Sequence, residues 1–331
     1  MPRSVGGAFT EFRRDTVDLD PEEARRARAS RDYLYGQMKW LENNHGAFPR
    51  SSGFVPYGSF SRKAKIRPLD DIDFMVVLDG GGVWESGFRY GSRLVVQDPN
   101  CNLAAYLDNA GCVSSIRLLN RIRSGLESVG NYRRAEIRRN QEVVSLSLSS
   151  YPWTFDIAPA VEVADQWSRA TRYYLIPDGA GHWKRTNPDK DQEFVTRVNQ
   201  RHGGDFIPLL RLLKFWNKRT YKRVLGSYHF ETLALRAFEY APPFDALPAG
   251  VKYFFDQAPA LLMSACPDPK GLGPNLDDGV DYAAKVSVRD KMREVAEYAG
   301  YALNYERAGH QETAIRHWRD VFGGEFPTYG W

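Results

Sequence analysis

The stretch from Tyr57 to Leu78, YGSFSRKAKIRPLDDIDFMVVL, constrains the chain more than any other. It reads as a Gly58-Ser59 turn, a basic connector closed by Pro68, and a strand that opens Asp71-Ile72-Asp73 and continues through the apolar run Phe74 to Leu78. Successive strand side chains alternate faces, so Asp71 and Asp73 point the same way, about 7 Å apart along the strand. Two like charges on one side of an otherwise buried strand are unfavourable unless a cation lies between them. A hard divalent ion such as Mg²⁺ suits that position, held by one or two carboxylates and by substrate phosphates. A small-residue turn such as Gly58-Ser59 can bring backbone N–H groups and a hydroxyl close to a phosphate chain. An Asp-x-Asp pair or a Gly-Ser alone is common by chance; their combination at this spacing, with Pro68 between and apolar residues after, is specific.

This pattern resembles the nucleotidyltransferase superfamily of DNA polymerase β, in which Gly-Ser and an Asp-x-Asp strand are joined by a third Asp on a later strand. The wording IRPLDDID further resembles the bacterial CD-NTases, cGAS- and DncV-like relatives of oligoadenylate synthase. The later strand is found at Trp153 to Val161, where Asp156 is embedded among apolar neighbours, and a charge there is costly to bury unless paired or metal-bound. The resemblance makes Asp156 the third carboxylate, completing a two-metal site with Asp71 and Asp73 and placed to take the proton from an attacking ribose hydroxyl. A second resemblance lies in LKFWN followed by GSYHFE. It implies that Lys214 and Ser227 contact the donor triphosphate and that Tyr228 stacks on the donor base. These roles suit the side chains: an ammonium acts as a point charge on phosphate, a serine at a helix start donates its hydroxyl, and an aromatic ring stacks on any base. His229 reads as a packing residue. The Cys266-Pro267-Asp268-Pro269 run resembles the family's Asp-Pro loop, but Gly271 and Gly273 alter its interior, and no catalytic role follows from it.

With 331 residues, 43% of them hydrophobic, the chain is long and apolar enough for two real cores. A helix is expected from about Asp18 to Asn43, opened by Asp20, Pro21, Glu22 and Glu23, burying Tyr33, Met38, Trp40 and Leu41. Residues 1 to 17 read as a loosely held start. Pro177 to Asp191 reads as a Gly/Pro/Asp/Asn-rich loop, and a shift of texture near residue 165 marks a boundary. The resemblance gives the fold class: α+β and bilobed, with a polymerase-β-like core of mixed β-sheet and helices (1–165) carrying a long N-terminal spine helix, and a mainly helical, oligoadenylate-synthase-like C-terminal domain (166–331).

Three cysteines with no CxxC and no nearby paired histidines indicate neither a disulfide framework nor a structural zinc site. No apolar run reaches membrane-spanning length and the N-terminus has no signal-peptide core, so a cytoplasmic protein without a membrane partner is expected. A net charge of +4, with both signs interspersed, demands no nucleic-acid partner, and activity without one is expected. The resemblance implies two Mg²⁺ (or Mn²⁺) ions per site, NTP substrates with ATP and GTP foremost, and a cyclic di- or trinucleotide made with release of pyrophosphate. It also implies a separate effector for that product in anti-phage (CBASS) signalling, with the C-terminal tail a candidate handle for an accessory regulatory protein. Two alternatives stay open: transfer of nucleotides to RNA or a linear oligonucleotide, and nucleotide binding without turnover. The first needs a basic RNA surface, and the second sits poorly with a full set of three carboxylates.

Overall fold

The computed structural model describes residues 1–46, 48–87, 91–164, 172–221 and 224–330. In chain order, α1 (Val5–Phe12) continues as a π-helical turn to Val17 and is followed by the long α2 (Pro21–Asn44). Next come β1 (Ser51–Pro56), the short α3 (Gly58–Ser61), β2 (Asp71–Leu78) and a separate antiparallel pair, β3 (Val83–Ser86) with β4 (Arg93–Val96). After α4 (Ser115–Glu127) the chain forms β5 (Glu136–Asn140), β6 (Val143–Ser147), β7 (Thr154–Ala164), β8 (Arg172–Pro177) and β9 (Trp183–Thr186). The rest is helical: α5 (Pro188–Arg201), α6 (Phe206–Tyr221), α7 (Ser227–Phe238), α8 (Leu247–Leu262), α9 (Tyr282–Arg307) and α10 (Gln311–Phe322).

Two compact units result, one from residues 21–62 and 69–189, the other from residues 1–20, 63–68 and 190–331. The first holds a seven-stranded sheet in which β1, β2, β7, β6 and β5 lie side by side, with β8 pairing β7 and β9 pairing β8. Among the described residues the β2–β7 contact is parallel and the other pairings of this sheet are antiparallel. Alternation divides β2: Ile72, Phe74, Val76 and Leu78 face one way and are buried, while Asp71, Asp73, Met75 and Val77 face the other. Met75 and Val77 form an apolar cluster with Ala158, Ala160, Tyr174 and Ile176, so the acidic end of this face grades directly into core. On α2 the buried residues are Ala27, Leu34, Met38 and Leu41, one helical stripe; Tyr35 stacks on Phe54 at 4.3 Å and meets Phe74 edge-on. The expectation that Tyr33 and Trp40 are buried is corrected, since both are exposed: they fall off that stripe, and hydrophobicity alone does not assign a face.

The mixed sheet with a mainly helical C-terminal region matches the expected fold class. Asp165, where the boundary was expected, lies outside the described residues, and beyond it β8 still pairs with β7, so the sheet unit reaches Asp189. The loop expected over Pro177 to Asp191 instead contains β9 and the start of α5. The N-terminal start is not loosely held. Val5, Ala8, Phe9 and Phe12 of α1 are buried in the helical unit, where Phe9 meets Trp318, Phe322 and Phe326 edge-on and Phe12 meets Phe215. Their spacing of three, one and three residues is a helical stripe. The connector's Arg67 also belongs to this unit, its guanidinium donating to the carbonyl oxygens of Arg14, Asp15 and Asp18.

Candidate active site

In the sheet unit, the parallel register of β2 and β7 sets Asp73 directly opposite Asp156 and Asp71 opposite Thr154. Directly opposite residues share a face, so the three carboxylates predicted from sequence lie on one side of two adjoining strands, which are about 4.8 Å apart. All three are half-buried. The row continues across the sheet, because Asp156 is opposite Ser145 and Ser145 is opposite Arg138. Ser145 Oγ donates to Asp156 Oδ1 at 2.6 Å, orienting that carboxylate. Beside it an open groove of about 460 Å³ is lined by Glu136, Arg138, Arg139, Asn140, Ser145, Ser147 and Thr154.

Gly58 and Ser59 lie in α3, which starts immediately after β1. The Tyr57 amide donates to the Asp73 carbonyl at 3.2 Å, tying the turn to the acidic strand. Gly58 has φ +75°, and a Cβ there would come 2.0 Å from Asp73 Oδ2. Only glycine tolerates both that conformation and that contact. Burial, reinforced by Asp73 and Asp156, pushes the Tyr57 phenol far above its ordinary range, so it stays protonated.

Among the described residues no three His, Cys, Asp or Glu side chains are gathered as the ligands of a metal ion. What the backbone register supplies is an oxygen-only donor set on one face, the set a hard cation takes when phosphate and water complete its shell. In that chemical sense the carboxylates fit Mg²⁺ or Mn²⁺.

In the helical unit, Lys214 lies on α6, and Ser227 and Tyr228 are the first residues of α7. Lys214 is buried and its Nζ is 3.1 Å from Glu231 Oε2 on the next helix, itself buried. Tyr228 donates its hydroxyl proton to Asp191 Oδ1 at 2.5 Å and accepts from Lys270 Nζ at 2.6 Å. The fold thus brings Asp71, Asp73, Asp156 and Gly58 together in one unit and Lys214 and Tyr228 into charged networks in the other. Ser145, Glu231, Asp191 and Lys270 escaped the sequence reading; the one signal on offer was Glu231, a carboxylate in the same string as Ser227 and Tyr228. Burial lowers the pKa of His229, with Asp277 opposing, which keeps the imidazole neutral as a packing residue.

No family model matches the chain. A protein of Bacillus cereus (strain VD146), named a probable cyclic nucleotide synthase, is 35% identical over 334 residues, covering 99% of each chain. The structure of E. coli MS115-1 CdnC with ATP superposes with a TM-score of 0.71 at 16% identity, over 97% of this chain and 98% of that one. The apo form of Vibrio cholerae DncV gives 0.68 at 12% identity, over 98% and 97%. Among the described residues no helix is long and apolar enough to cross a membrane.

Proposed function

Because the chain belongs to the bacterial CD-NTases, the cyclic nucleotide synthases of the DNA polymerase β nucleotidyltransferase superfamily, we propose that it joins nucleoside triphosphates, ATP or GTP among them, into a cyclic di- or trinucleotide. The observation that carries this reading is the pairing of Asp73 with Asp156 across the parallel strands, with Gly58 pressed against the Asp73 carboxylate. That arrangement offers three carboxylates and a phosphate-compatible turn on one short piece of sheet.

Asp71, Asp73 and Asp156 would hold two divalent cations, Mg²⁺ or Mn²⁺, which when bound neutralise the triphosphate and acidify the attacking hydroxyl. Ser145 fixes the Asp156 carboxylate, so Asp156 is oriented to accept the proton as a ribose oxygen bonds to the α-phosphorus. The bond to the bridging oxygen breaks and its electron pair leaves with pyrophosphate. Repetition of the same transfer lengthens the product, and a last, intramolecular round closes the ring. The Gly58-Ser59 turn positions the phosphates, and the groove bearing Arg138 and Ser147 takes the acceptor nucleotide. By resemblance Lys214 and Ser227 take the donor triphosphate and Tyr228 its base; Glu231 holds Lys214 as a fixed point charge. The product acts on a separate effector in anti-phage signalling.

The test is incubation with labelled ATP, GTP, CTP and UTP plus Mg²⁺ or Mn²⁺, phosphatase treatment, and mass analysis of what survives. A phosphatase-resistant product of cyclic mass, absent in the Asp71→Ala/Asp73→Ala double variant, is expected. Linear products alone would move the reading to an oligonucleotide-directed transferase, and binding without product to a nucleotide-binding protein.

A further inference from the structure

The Asp-Pro loop, to which the sequence assigned no role, delivers a lysine to Tyr228. Cys266 N donates to Asp277 Oδ1 at 2.7 Å and Leu276 N to the Cys266 carbonyl at 2.8 Å, closing the loop at its base. Inside it, the Lys270 amide donates to Asp268 Oδ1, and Lys190 Nζ caps the Lys270 carbonyl at 3.0 Å. With its backbone held, Lys270 brings its ammonium to the hydroxyl end of Tyr228, 2.6 Å from the phenol oxygen and 4.3 Å from the ring centroid. The same ammonium is 2.9 Å from Asp268 Oδ1 and 3.7 Å from Asp191 Oδ2. The side chains of Lys270 and Asp191 are each only 12% exposed, so solvent screens this network far less than a surface pair.

The hydroxyl has one proton, and Asp191 receives it; its acceptor side meets the ammonium. Both ends of the phenol's hydrogen bonding are therefore engaged within the protein, and the ring is fixed before a ligand arrives. Fixing a ring in advance removes an ordering cost from binding. An ammonium hydrogen-bonded to the phenol oxygen also withdraws electron density from the ring, which favours stacking against an electron-rich base over an electron-poor one.

We propose that Lys270, together with Asp191, is a positioning residue for Tyr228: it locks the ring as a stacking platform and tilts that platform toward a purine in the donor nucleotide. The inference rests on the reading of Tyr228 as the residue that stacks on the donor base. The plainer role, a clamp that only fastens the loop to α5 and α7, makes a different prediction, because such a clamp changes melting but not base preference.

The experiment is calorimetric binding of non-hydrolysable ATP and UTP analogues with Mg²⁺ to the full chain, for wild type, Tyr228→Ala, Tyr228→Phe, Lys270→Met and Lys270→Arg. Circular dichroism melts accompany each variant. Lys270→Met and Tyr228→Phe are each expected to weaken the ATP analogue about three- to tenfold. Their double variant should weaken it no further than either alone, as for two ends of one interaction. Lys270→Arg should restore most of the affinity, and Lys270→Met should narrow the preference for ATP over UTP. If Tyr228→Ala weakens binding while Lys270→Met binds and discriminates like wild type, the inference is overturned and the reading of Tyr228 stands, whatever the melts show. If Tyr228→Ala binds the ATP analogue like wild type, or wild type does not bind it, the reading of Tyr228 falls and takes the inference with it.

Discussion

At Gly58 one added carbon would meet Asp73 Oδ2 at 2.0 Å, in a backbone conformation that side chains rarely adopt. Gly58→Ala must therefore shift either the turn or the carboxylate, and a displacement near 1 Å in a positioned site costs about 10²-fold in rate. A loss of that size in turnover, with the circular dichroism spectrum unchanged, is the expected outcome; wild-type turnover would refute the view that this contact sets the geometry. Ser145→Ala is milder, removing one hydrogen bond to a charged acceptor, and should lower turnover about tenfold while leaving nucleotide affinity within twofold. The two positions differ in how they can be read from sequence. Asp71 and Asp73 are legible because they head a strand that is otherwise apolar, and Asp156 because it is a charge set among apolar neighbours, local contradictions that ask for a function. Ser145 is an ordinary polar residue of an alternating strand, and it acquires meaning only through its register with Asp156. Glu231 and Lys270 become meaningful in the same way, once folding sets them against Lys214 and Tyr228.

The loop between α8 and α9 owes its shape chiefly to Asp277, which accepts from the Cys266 amide at 2.7 Å and from Lys285 Nζ at 2.5 Å. Burial pushes this carboxyl upward, but the Lys285 and Cys266 hydrogen bonds outweigh it and the pKa ends below 3.8. A depressed folded-state pKa means the anion's contribution is complete above the unfolded value and is lost as the pH falls through the folded one. Asp277→Asn should lower stability by about 1–3 kcal/mol at pH 7. Urea unfolding followed from pH 7 down to 3 should show the two proteins converging below about pH 4; a gap of constant width would rule out the ion pair as its source. Elements were legible where they have a period of their own. The helix α6 is an example, with Phe206, Leu209, Leu210, Leu213 and Trp216 all buried as their spacing demands. By contrast β9 is four residues long and stands as a strand because β8 lies beside it, so a reading limited to local composition sees loop.

The chain's two ends come together in one unit: the Gly330 amide donates to the Pro2 carbonyl at 3.0 Å, and the Val5 amide to Gln311 Oε1 at 2.8 Å. Around them Phe9, Phe12, Trp318, Phe322 and Phe326 form one aromatic cluster, with ring centroids 4.9 to 5.8 Å apart where Phe9 meets the other three it touches. The helical unit is therefore not a C-terminal domain in sequence. It draws on residues 1–20 and 63–68 as well as 190–331, and its core packs Val5, Phe9, Ala64 and Ile66 with residues of α6, α8, α9 and α10. A boundary sought as a single point along the chain misses such an assembly, because the first residues are separated from their partners by some three hundred others. The consequence is measurable. Phe9→Ala truncates a side chain that is 2% exposed, and large-to-small changes of that kind cost about 3–5 kcal/mol. Deleting residues 1–17 removes Val5, Ala8, Phe9, Phe12 and Val17 from that core together, more than a protein of ordinary stability tolerates. The truncated chain should lose cooperative melting of its helical signal and expose the segment after residue 190 to protease. If it instead melts as the full chain does and resists protease equally, α1 is an ornament on this unit and the aromatic cluster holds without it.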